Sequence, residues 1–338
     1  MTKIQDYIRR LPKAELHLHL EGTILPSTLV ELSARHDARP LTLAEAEALY
    51  RFDDFSGFME AFKAVTGRLT SAEDYELAAW RMMEHLAAEG VVHAEVFVSV
   101  GVFYHWNDDT AAAFDPVFAA LERARQRSER ELGLSLYWIF DAVRHFTVEE
   151  AGRVFSKAAE LRPAHPSIIG IGMGGDERRT GSEPFRALYA QAAQAGLRLT
   201  NHAGETTGPE AIWEALSLGS ERLGHALSAI QDAALVQELK TRSVPLELCP
   251  TSNVRTGVCP SVAEHPLRKY FDAGLLVTLN SDDPAFFGSD VANEYLLAHT
   301  EQGFTRDELR QLAANSIRAS FLPEEAKAAW LARINATE

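Results

Sequence analysis

The chain has 338 residues, of which 46% are hydrophobic and 24% charged, a composition that is typical of a globular protein with a large core. Its net charge of −15 argues against nucleic acid and anionic membranes as partners, because their phosphates would be repelled by an acidic surface. Its two cysteines, Cys249 and Cys259, exclude a disulfide framework and are typical of a reducing compartment.

The N-terminal segment has neither an apolar leader nor a small-residue cleavage site. No apolar run approaches the roughly 18 residues that a membrane span requires. We therefore expect a cytoplasmic protein that does not associate with membranes.

Short runs of apolar, β-branched and aromatic residues recur along the chain and predict eight strands. In chain order they cover residues 14–20, 91–100, 134–143, 167–173, 197–203, 222–226, 244–250 and 275–281. Segments rich in Ala, Leu, Glu and Arg at helical spacing separate most of them, most clearly 74–90, 111–133 and 183–196. No linker or composition shift divides the chain, so we predict a single domain over residues 1–338.

Alternating strands and helices predict parallel strands with right-handed crossovers, and eight such units predict an α/β fold, the (β/α)8 or TIM barrel. An open doubly wound sheet is the alternative, but no Gly-x-Gly-x-x-Gly motif follows the first strand. The long first connection, residues 22–90, is expected to carry extra helices over the barrel mouth. Its aromatic segment 51–65 forms either part of a lid or part of the outer ring. Residues 289–335 predict further helices at the C-terminus.

The chemically capable side chains fall where predicted strands end, which is where TIM barrels build their active sites. In "LHLHLEGT" (16–23), His17 and His19 face the same side of the first strand, because side chains alternate along a strand. Further candidates follow the first, fifth, sixth and eighth strands: Glu21, His202, Glu205, His225, Asp282 and Asp283. Each alone could be structural, and Asp283 before Pro284 would suit a helix cap. Together they predict one shared site.

Three imidazole nitrogens and one carboxylate oxygen form a ligand set that suits one Zn²⁺ per chain and, less selectively, Fe²⁺, Mn²⁺ or Co²⁺. The residues in question are His17, His19, His202 and one of Asp282 and Asp283. A catalytic zinc ion lowers the pKa of its bound water from about 15.7 toward 7. His225 and Asp283 could hold that water by hydrogen bonds.

Glu205 follows His202 across a tight glycine turn and could act as a general acid without binding the metal. Hydroxide adds to an aromatic ring only if the ring is activated, and a protonated Glu205 that donates to a ring nitrogen would supply that activation. The pKa of Glu205 should then be raised by burial.

A competing metal motif is excluded. His93-Ala94-Glu95 resembles the His-x-Glu of cytidine-deaminase zinc sites, but these sites also need Pro-Cys-x-x-Cys, and the two cysteines lie ten residues apart. We interpret His93 as a barrel-lining or interface residue. The other seven histidines are interpreted as surface or packing residues: His36, His85, His105, His145, His165, His265 and His299.

Six sequence blocks, in order, resemble the adenosine deaminase family of the amidohydrolase superfamily. They are "PKAELHLHLEGT" (12–23), "GGDE" (174–177), "NHAGE" (201–205), "ERLGHA" (221–226), "CPTSN" (249–253) and "NSDDPAFFG" (280–288). The resemblance covers about residues 11 to 320 and implies a zinc-dependent aminohydrolase acting on a small 6-aminopurine.

The resemblance also implies a role for each site residue. The zinc ligands would be His17, His19, His202 and Asp282. Glu205 would donate a proton to N1, while His225 and Asp283 would orient the attacking water. Asp283 would also accept from N7, and the backbone of Gly175 would contact the N3 edge.

The substrate depends on fewer residues. Adenosine-specific members usually carry Asp, which meets a ribose hydroxyl, where this chain has Glu21. The blocks "LEGT", "WIFDAVRHF" (138–146), "GMGGDE" (172–177) and "CPTSN" are most similar to members acting on 6-amino-6-deoxyfutalosine, an adenosine with an aromatic acid at its 5′ end, in the futalosine route to menaquinone. Adenosine and adenine are the alternatives. A basic group near the mouth is expected for the acid, with Arg144, Arg178 and Arg179 as candidates.

Two other classes of protein fit less well. Binuclear hydrolases on the same barrel use a bridging lysine carboxylate, and the fourth strand with its flank, "SIIGIGMGGDE", contains no lysine. A noncatalytic purine-binding protein would be expected to lack a ligand or the proton donor, and all of these positions are filled here.

Overall fold

The computed structural model describes residues 2–52, 55–107 and 113–337. Eight parallel strands follow one another around the sheet in chain order. They are β1 Lys13–His19, β2 Val91–Val98, β3 Ser135–Val143, β4 Ile168–Gly174, β5 Arg198–Ala203, β6 Arg222–His225, β7 Leu246–Leu248 and β8 Val277–Leu279. The predicted TIM barrel and its strands are confirmed.

Helices surround the barrel, and the bounds of the first nine are α1 Lys3–Arg10, α2 Pro26–His36, α3 Leu43–Leu49, α4 Phe55–Thr66, α5 Ala72–Ala88, α6 Val100–Asn107, α7 Phe114–Glu131, α8 Val148–Leu161 and α9 Arg186–Gln194. The helices that follow in the described ranges are α10 Pro209–Ser217, α11 Ala233–Arg242, α12 Pro250–Arg255, α13 Leu267–Ala273, α14 Pro284–Phe287, α15 Val291–Gln302, α16 Arg306–Ala319 and α17 Glu324–Asn335. The extra helices in the first connection and at the C-terminus are confirmed. None of the helices in the described ranges is long and apolar enough to span a membrane.

Local signals in the sequence set the ends of α5. The Ser71 hydroxyl accepts from the backbone N–H of Asp74, and the Asp74 side chain accepts from Ser71 in return, which forms a capping box. Gly90 follows the helix with φ +81°, a left-handed conformation that glycine adopts without strain. The chain therefore turns directly from α5 into β2.

The barrel closes between β1 and β8 through the backbone of Asp282. Its N–H donates to the His17 carbonyl at 3.1 Å, and its carbonyl accepts from the His19 N–H at 3.0 Å. The Leu16 N–H donates to the Asn280 side chain at 2.9 Å. This closure places Asp282 beside both histidines of β1.

The sequence predicts that the aromatic segment 51–65 is either part of a lid or part of the outer ring. Residues 53 and 54 of this segment lie outside the described ranges, as do residues 111 and 112 of the predicted helix 111–133. In α4, the Phe58 ring lies 5.6 Å from that of Phe286 and 5.5 Å from that of Phe287. Both partners belong to α14, which directly follows Asp283. The described part of the segment therefore lies at the mouth of the barrel.

Candidate active site

Four of the predicted metal ligands converge inside the barrel mouth. The Oδ1 atom of Asp282 lies 3.6 Å from His17 Nε2 and 3.4 Å from His19 Nε2. His19 Nε2 lies 3.3 Å from His202 Nε2. Ligand atoms of a tetrahedral zinc ion, each about 2.0–2.1 Å from the metal, lie about 3.3 Å apart. The spacing of these atoms therefore fits such an ion.

The electrostatics of three of these side chains also favour a cation at this point. Burial opposes protonation of His17, but the nearby carboxylates of Asp282 and Glu247 raise its pKa to about 10. Burial lowers the pKa of His19 to about 4. Burial opposes ionisation of Asp282, yet the neighbouring His17 holds its pKa well below the usual range. The carboxylates thus stabilise a positive charge among the imidazoles.

Two residues of the site have a strained backbone. Asp282 has φ +66° and His225 has φ +62°, in the left-handed region that costs a residue with a side chain about 1–3 kcal/mol at such sites. The left-handed turns follow β8 and end β6. They direct both side chains toward the centre of the barrel, where His225 Nε2 lies 4.0 Å from Asp282 Oδ2.

The predicted proton donor Glu205 lies on the loop after β5. Burial, with the charges of Asp282 and Glu177, raises the pKa of its carboxyl to about 8. The Glu177 carboxylate accepts hydrogen bonds from three consecutive backbone N–H groups, those of Glu205, Thr206 and Thr207, at 3.0–3.2 Å. Glu177 therefore both orders the loop and favours the protonated form of Glu205.

A chain of hydrogen bonds holds the Nδ1 side of His225. Its Nδ1 lies 3.1 Å from the Asn253 amide nitrogen, while its Nε2 faces Glu205 Oε2 at 3.8 Å. The Asn253 oxygen in turn lies 3.1 Å from His265 Nε2. Because the Asn253 amide donates to Nδ1, the neutral ring carries its hydrogen on Nε2, the atom that faces Glu205. Burial lowers the pKa of His225 to about 4, which keeps the ring neutral.

Asp283 does not act as a helix cap. It precedes α14, but its side chain makes no capping hydrogen bond, and its buried Oδ1 has no hydrogen-bond partner among the described residues. Burial and the charge of Asp282 raise its pKa well above the usual range. A Cβ on Gly22 would lie 1.9 Å from Asp283 Oδ1, so only glycine lets the two loops approach this closely.

The other predicted substrate-binding residues lie on either side of the mouth. The Glu21 carboxylate is buried and accepts from the Ser99 N–H at 3.1 Å and the Ser99 hydroxyl at 2.9 Å, and burial raises its pKa. Gly175 is exposed at the end of β4 with φ +93°. Its backbone is therefore open to a ligand, while Glu21 already accepts hydrogen bonds from Ser99, the residue that follows β2.

One arginine expected at the mouth is not exposed there. Arg144 is buried, and its Nη2 donates to the His202 carbonyl at 2.5 Å and to Asn201 Oδ1 at 3.0 Å. Its guanidinium lies beyond the point where β4 and β5 pair, which is at Gly170–Arg198 and Ile171–Leu199, so Arg144 does not offer an exposed cation to a substrate acid. Arg178 and Arg179 are exposed.

Sequence reasoning missed several residues around the metal ligands. Glu247 Oε2 lies 2.7 Å from His17 Nδ1, and the Ser252 hydroxyl donates to Asp282 Oδ2 at 2.6 Å. The sequence did contain one signal for two of these residues, because Glu247 and Asp141 are each the single acid in an apolar strand run. Ser252, Asn253 and Glu177 belong to blocks that were recognised without a role for these side chains.

Two histidines outside the predicted metal site, His93 and His265, are buried and have hydrogen-bond partners. His93 is buried in the barrel, with Nδ1 2.8 Å from Ser135 Oγ and Nε2 3.2 Å from Glu95 Oε1, in agreement with a barrel-lining role. The interpretation of His265 as a packing or surface residue is incomplete, because this buried ring supports Asn253 behind His225.

Cys249 lies near His17 and Asp282, but burial raises the pKa of its thiol, which disfavours the thiolate that binds metals.

A second group of ligand-capable side chains lies away from the mouth. Candidate ligand atoms of His85, Glu89 and Asp290 lie within 4.8 Å of one another. However, Arg9 Nη1 lies 2.5 Å from Glu89 Oε1, and Lys13 Nζ donates to the Glu89 carbonyl at 2.6 Å. Because Arg9 already pairs with the Glu89 carboxylate, we interpret the group as a structural cluster.

Comparisons with known proteins agree with this arrangement. The chain is 38% identical to an aminodeoxyfutalosine deaminase of Streptomyces avermitilis over 335 residues, covering 98% of this chain and 92% of the relative. It is also 38% identical to an adenine deaminase of Streptomyces coelicolor over 344 residues, covering 99% and 98% of the two chains. An amidohydrolase from Burkholderia ambifaria, solved with bound zinc, superposes with a TM-score of 0.89 at 27% identity, covering 99% and 93%.

The family model for adenosine deaminase matches residues 12–337. This span includes all eight strands, the four candidate metal ligands, and Glu205, His225 and Asp283. The six blocks recognised in the sequence all lie within it. The chain therefore belongs to the adenosine deaminase family and is a hydrolytic deaminase of purines.

Proposed function

We propose that the enzyme deaminates a 6-aminopurine hydrolytically at C6, and that its best substrate is 6-amino-6-deoxyfutalosine. One observation supports this reaction above all: four candidate metal-ligating side chains lie beside the buried carboxyl group of Glu205, whose pKa is about 8. Such a carboxyl group is largely protonated near neutral pH. A site with both features can activate water and protonate the ring at the same time.

The metal would be held by His17, His19, His202 and Asp282. The unpartnered, buried Nε2 of His17 and the ligand separations near 3.3 Å support this assignment. When bound, a divalent ion would supply a water molecule of lowered pKa. Zn²⁺ is the ion that this donor set favours.

The protein groups around the metal would divide the remaining work. Glu205 would donate to N1 and so make C6 more electrophilic. His225 would orient the water. Asp283 was predicted to accept from N7, but N7 of an N9-substituted purine carries a lone pair and no hydrogen. Asp283, whose pKa is raised, would therefore donate to N7 instead, and the exposed backbone of Gly175 would face the N3 edge.

A cleft beside Glu205 supports a substrate larger than adenine. Its volume is about 550 Å³, and its walls include Glu205, Arg178 and Lys269. Two exposed cations at the rim suit a carboxylate such as the aromatic acid of 6-amino-6-deoxyfutalosine.

Adenine is the second candidate substrate. The observation that favours it is the 38% identity to an adenine deaminase over nearly the whole of both chains. That identity equals the identity to the aminodeoxyfutalosine deaminase, so overall similarity does not choose between the two substrates.

Steady-state kinetics on zinc-loaded protein would separate the candidates. Ammonia release and the ultraviolet shift would be followed on 6-amino-6-deoxyfutalosine, adenosine and adenine, and kcat/KM compared. We expect a preference of about 100-fold or more for the first, which corresponds to about 2.7 kcal/mol of differential transition-state binding. A preference for adenine or adenosine would overturn the substrate and leave the reaction standing. No turnover of any of the three would contradict the proposed reaction.

Metal analysis of variants would test the ligand set separately from the substrate. His17→Ala and Asp282→Ala should lose zinc and activity together. Glu205→Gln should retain one zinc per chain, because Glu205 is not a ligand in this assignment. Full zinc content in either ligand variant would remove that residue from the metal site, and two zinc ions per wild-type chain would contradict a mononuclear centre.

A further inference from the structure

Asp141, on β3, is a buried acid that the proposed mechanism leaves without a task. It is 4% exposed, and its Oδ1 has no hydrogen-bond partner within the described part of the chain. Its carboxyl group lies inside the barrel beside β4, close to the metal ligands. An orphaned carboxylate in such a position is costly unless a ligand, a water molecule or a metal-bound side chain uses it.

Two glycines of β4 make room for this carboxyl group. A Cβ on Gly172 would lie 2.8 Å from Asp141 Oδ1 and 2.6 Å from a ring carbon of Phe97, so any side chain there would collide. A Cβ on Gly174 would lie 3.4 Å from Asp141 Oδ2 and 3.6 Å from His202 Nδ1. Asp141 Oδ2 and His202 Nδ1 therefore both border the space that the absent side chain of Gly174 leaves open.

His202 needs an acceptor on that side. Its Nε2 faces His19 Nε2 at 3.3 Å and is the atom placed to bind the metal. A neutral imidazole bound through Nε2 carries its hydrogen on Nδ1, and metal-bound histidines almost always donate that hydrogen to a carboxylate, a carbonyl or a water molecule. His17 already has such a partner in Glu247. No hydrogen bond from Nδ1 of His202 occurs among the described residues.

We propose that Asp141 is a positioning residue for His202, whose Nδ1 hydrogen its carboxylate accepts directly or through one water molecule in the gap beside Gly174. Asp141 does not touch the reacting atoms in this assignment. It fixes the ring orientation of His202 and keeps the ring hydrogen on Nδ1. Glu247, the partner of His17, lies on the opposite side of the barrel. The inference rests on the proposed metal centre, with His202 as a ligand.

Zinc affinity measured on metal-free protein by competition with a chromophoric chelator would test the inference. Asp141→Ala should weaken zinc binding by about 10- to 100-fold, the range typical of removing such a partner. Asp141→Asn should weaken it less, because an amide oxygen can still accept. Gly174→Ala separates the two forms of the contact: it should weaken zinc binding if a water molecule bridges the two groups and leave it near wild type if the bond is direct.

Two further readouts exclude a merely structural role. The visible spectrum of the Co²⁺-loaded protein should shift in Asp141→Ala, because the geometry of one ligand changes. The melting temperature of the metal-free variants should stay close to that of metal-free wild type, while the stabilisation gained on adding zinc decreases. Glu21→Gln is the matched control: it alters another buried carboxyl group at the mouth and should leave zinc affinity unchanged.

Wild-type zinc affinity and Co²⁺ spectrum in Asp141→Ala would overturn the inference. A change confined to KM would also overturn it and make Asp141 a substrate contact. If Asp141→Ala does not fold, Asp141→Asn decides in the same assay, and wild-type zinc affinity in that variant overturns the inference. If wild type binds zinc and the variants bind it equally well, only this inference fails; if wild type binds no divalent ion, the proposed metal centre fails with it.

Discussion

His17 and Glu247 form a buried pair in which Nδ1 lies 2.7 Å from Oε2. The other oxygen of Glu247 accepts from Arg222 Nε, and Arg222 Nη1 lies 2.5 Å from Glu95 Oε2. All four side chains are fully buried. The pair therefore joins a metal-ligating histidine to an ion network that crosses the interior of the barrel.

Glu247→Gln should lower zinc affinity by about 10- to 100-fold, because Gln accepts the His17 hydrogen more weakly than a carboxylate does. Glu95→Gln is the matched control, since Glu95 also binds Arg222 but does not touch His17. Both variants should lose stability, since each weakens a buried ion pair. Chelator competition and thermal melting on both proteins would separate the two effects, and equal zinc affinities would refute the link to His17.

Glu205→Gln should retain zinc and lose kcat by several orders of magnitude, because the proton for N1 is missing. In wild type, Glu205 is protonated below its pKa of about 8 and ionised above it. We therefore expect kcat/KM to fall as the pH rises through about 8. A flat profile between pH 7 and 9 in this assay would show that another group supplies the proton.

Glu177→Gln should move this alkaline limb to lower pH. The Glu177 charge helps to raise the pKa of Glu205, so its removal makes Glu205 more acidic. Asp176→Asn changes a neighbouring acid that does not bond to the Glu205 loop, and its profile should match wild type. A limb that stays in place in Glu177→Gln would mean that burial and the charge of Asp282 set the pKa without Glu177.

Gly22→Ala should reduce kcat/KM by about 100-fold, a loss typical of a catalytic group displaced by about 1 Å. The new Cβ would lie 1.9 Å from Asp283 Oδ1, so Asp283 must move. Gly133→Ala is the control: Gly133 has φ +66° and no heavy atom within 4 Å of an added Cβ. That variant should lose about 1–2 kcal/mol of stability and keep its activity. Wild-type kinetics in Gly22→Ala would remove Asp283 from the reaction.

Lys269→Ala and Arg178→Ala should each raise KM for 6-amino-6-deoxyfutalosine by roughly two- to fivefold, the effect of one exposed ion pair. Adenine has no acid group, so its KM should not change in either variant. Raising the salt concentration should reduce the difference between wild type and variants. An equal change in KM for both substrates would show that the cleft does not receive the carboxylate.

Much of the fold was predictable because it depends on local pattern. The strand runs alternate with helical segments, and glycines such as Gly90 follow the predicted helices. The histidines of β1 were predictable for the same reason, since a period of two puts His17 and His19 on one face. The position of α4 was not, because its aromatic residues suit a mouth helix and an outer helix equally well.

The supporting residues illustrate what a linear reading misses. Arg144 is near the end of β3 in sequence and could have pointed into solvent, but the separated ends of β4 and β5 give its guanidinium buried carbonyl partners. His265 is an unremarkable histidine in sequence, and only the path of α12 brings Asn253 between it and His225. These contacts join residues that are distant along the chain.

The sequence by itself determined the barrel, the family and the types of side chain at the strand ends, because periodicity and short motifs are local properties. Only the tertiary structure decided which groups meet: Glu247 with His17, Glu177 with the Glu205 loop, and Asp283 with Gly22. The tertiary structure also decided the charge states, since the pKa of Glu205 depends on burial and on the acids that closure of the barrel brings near it.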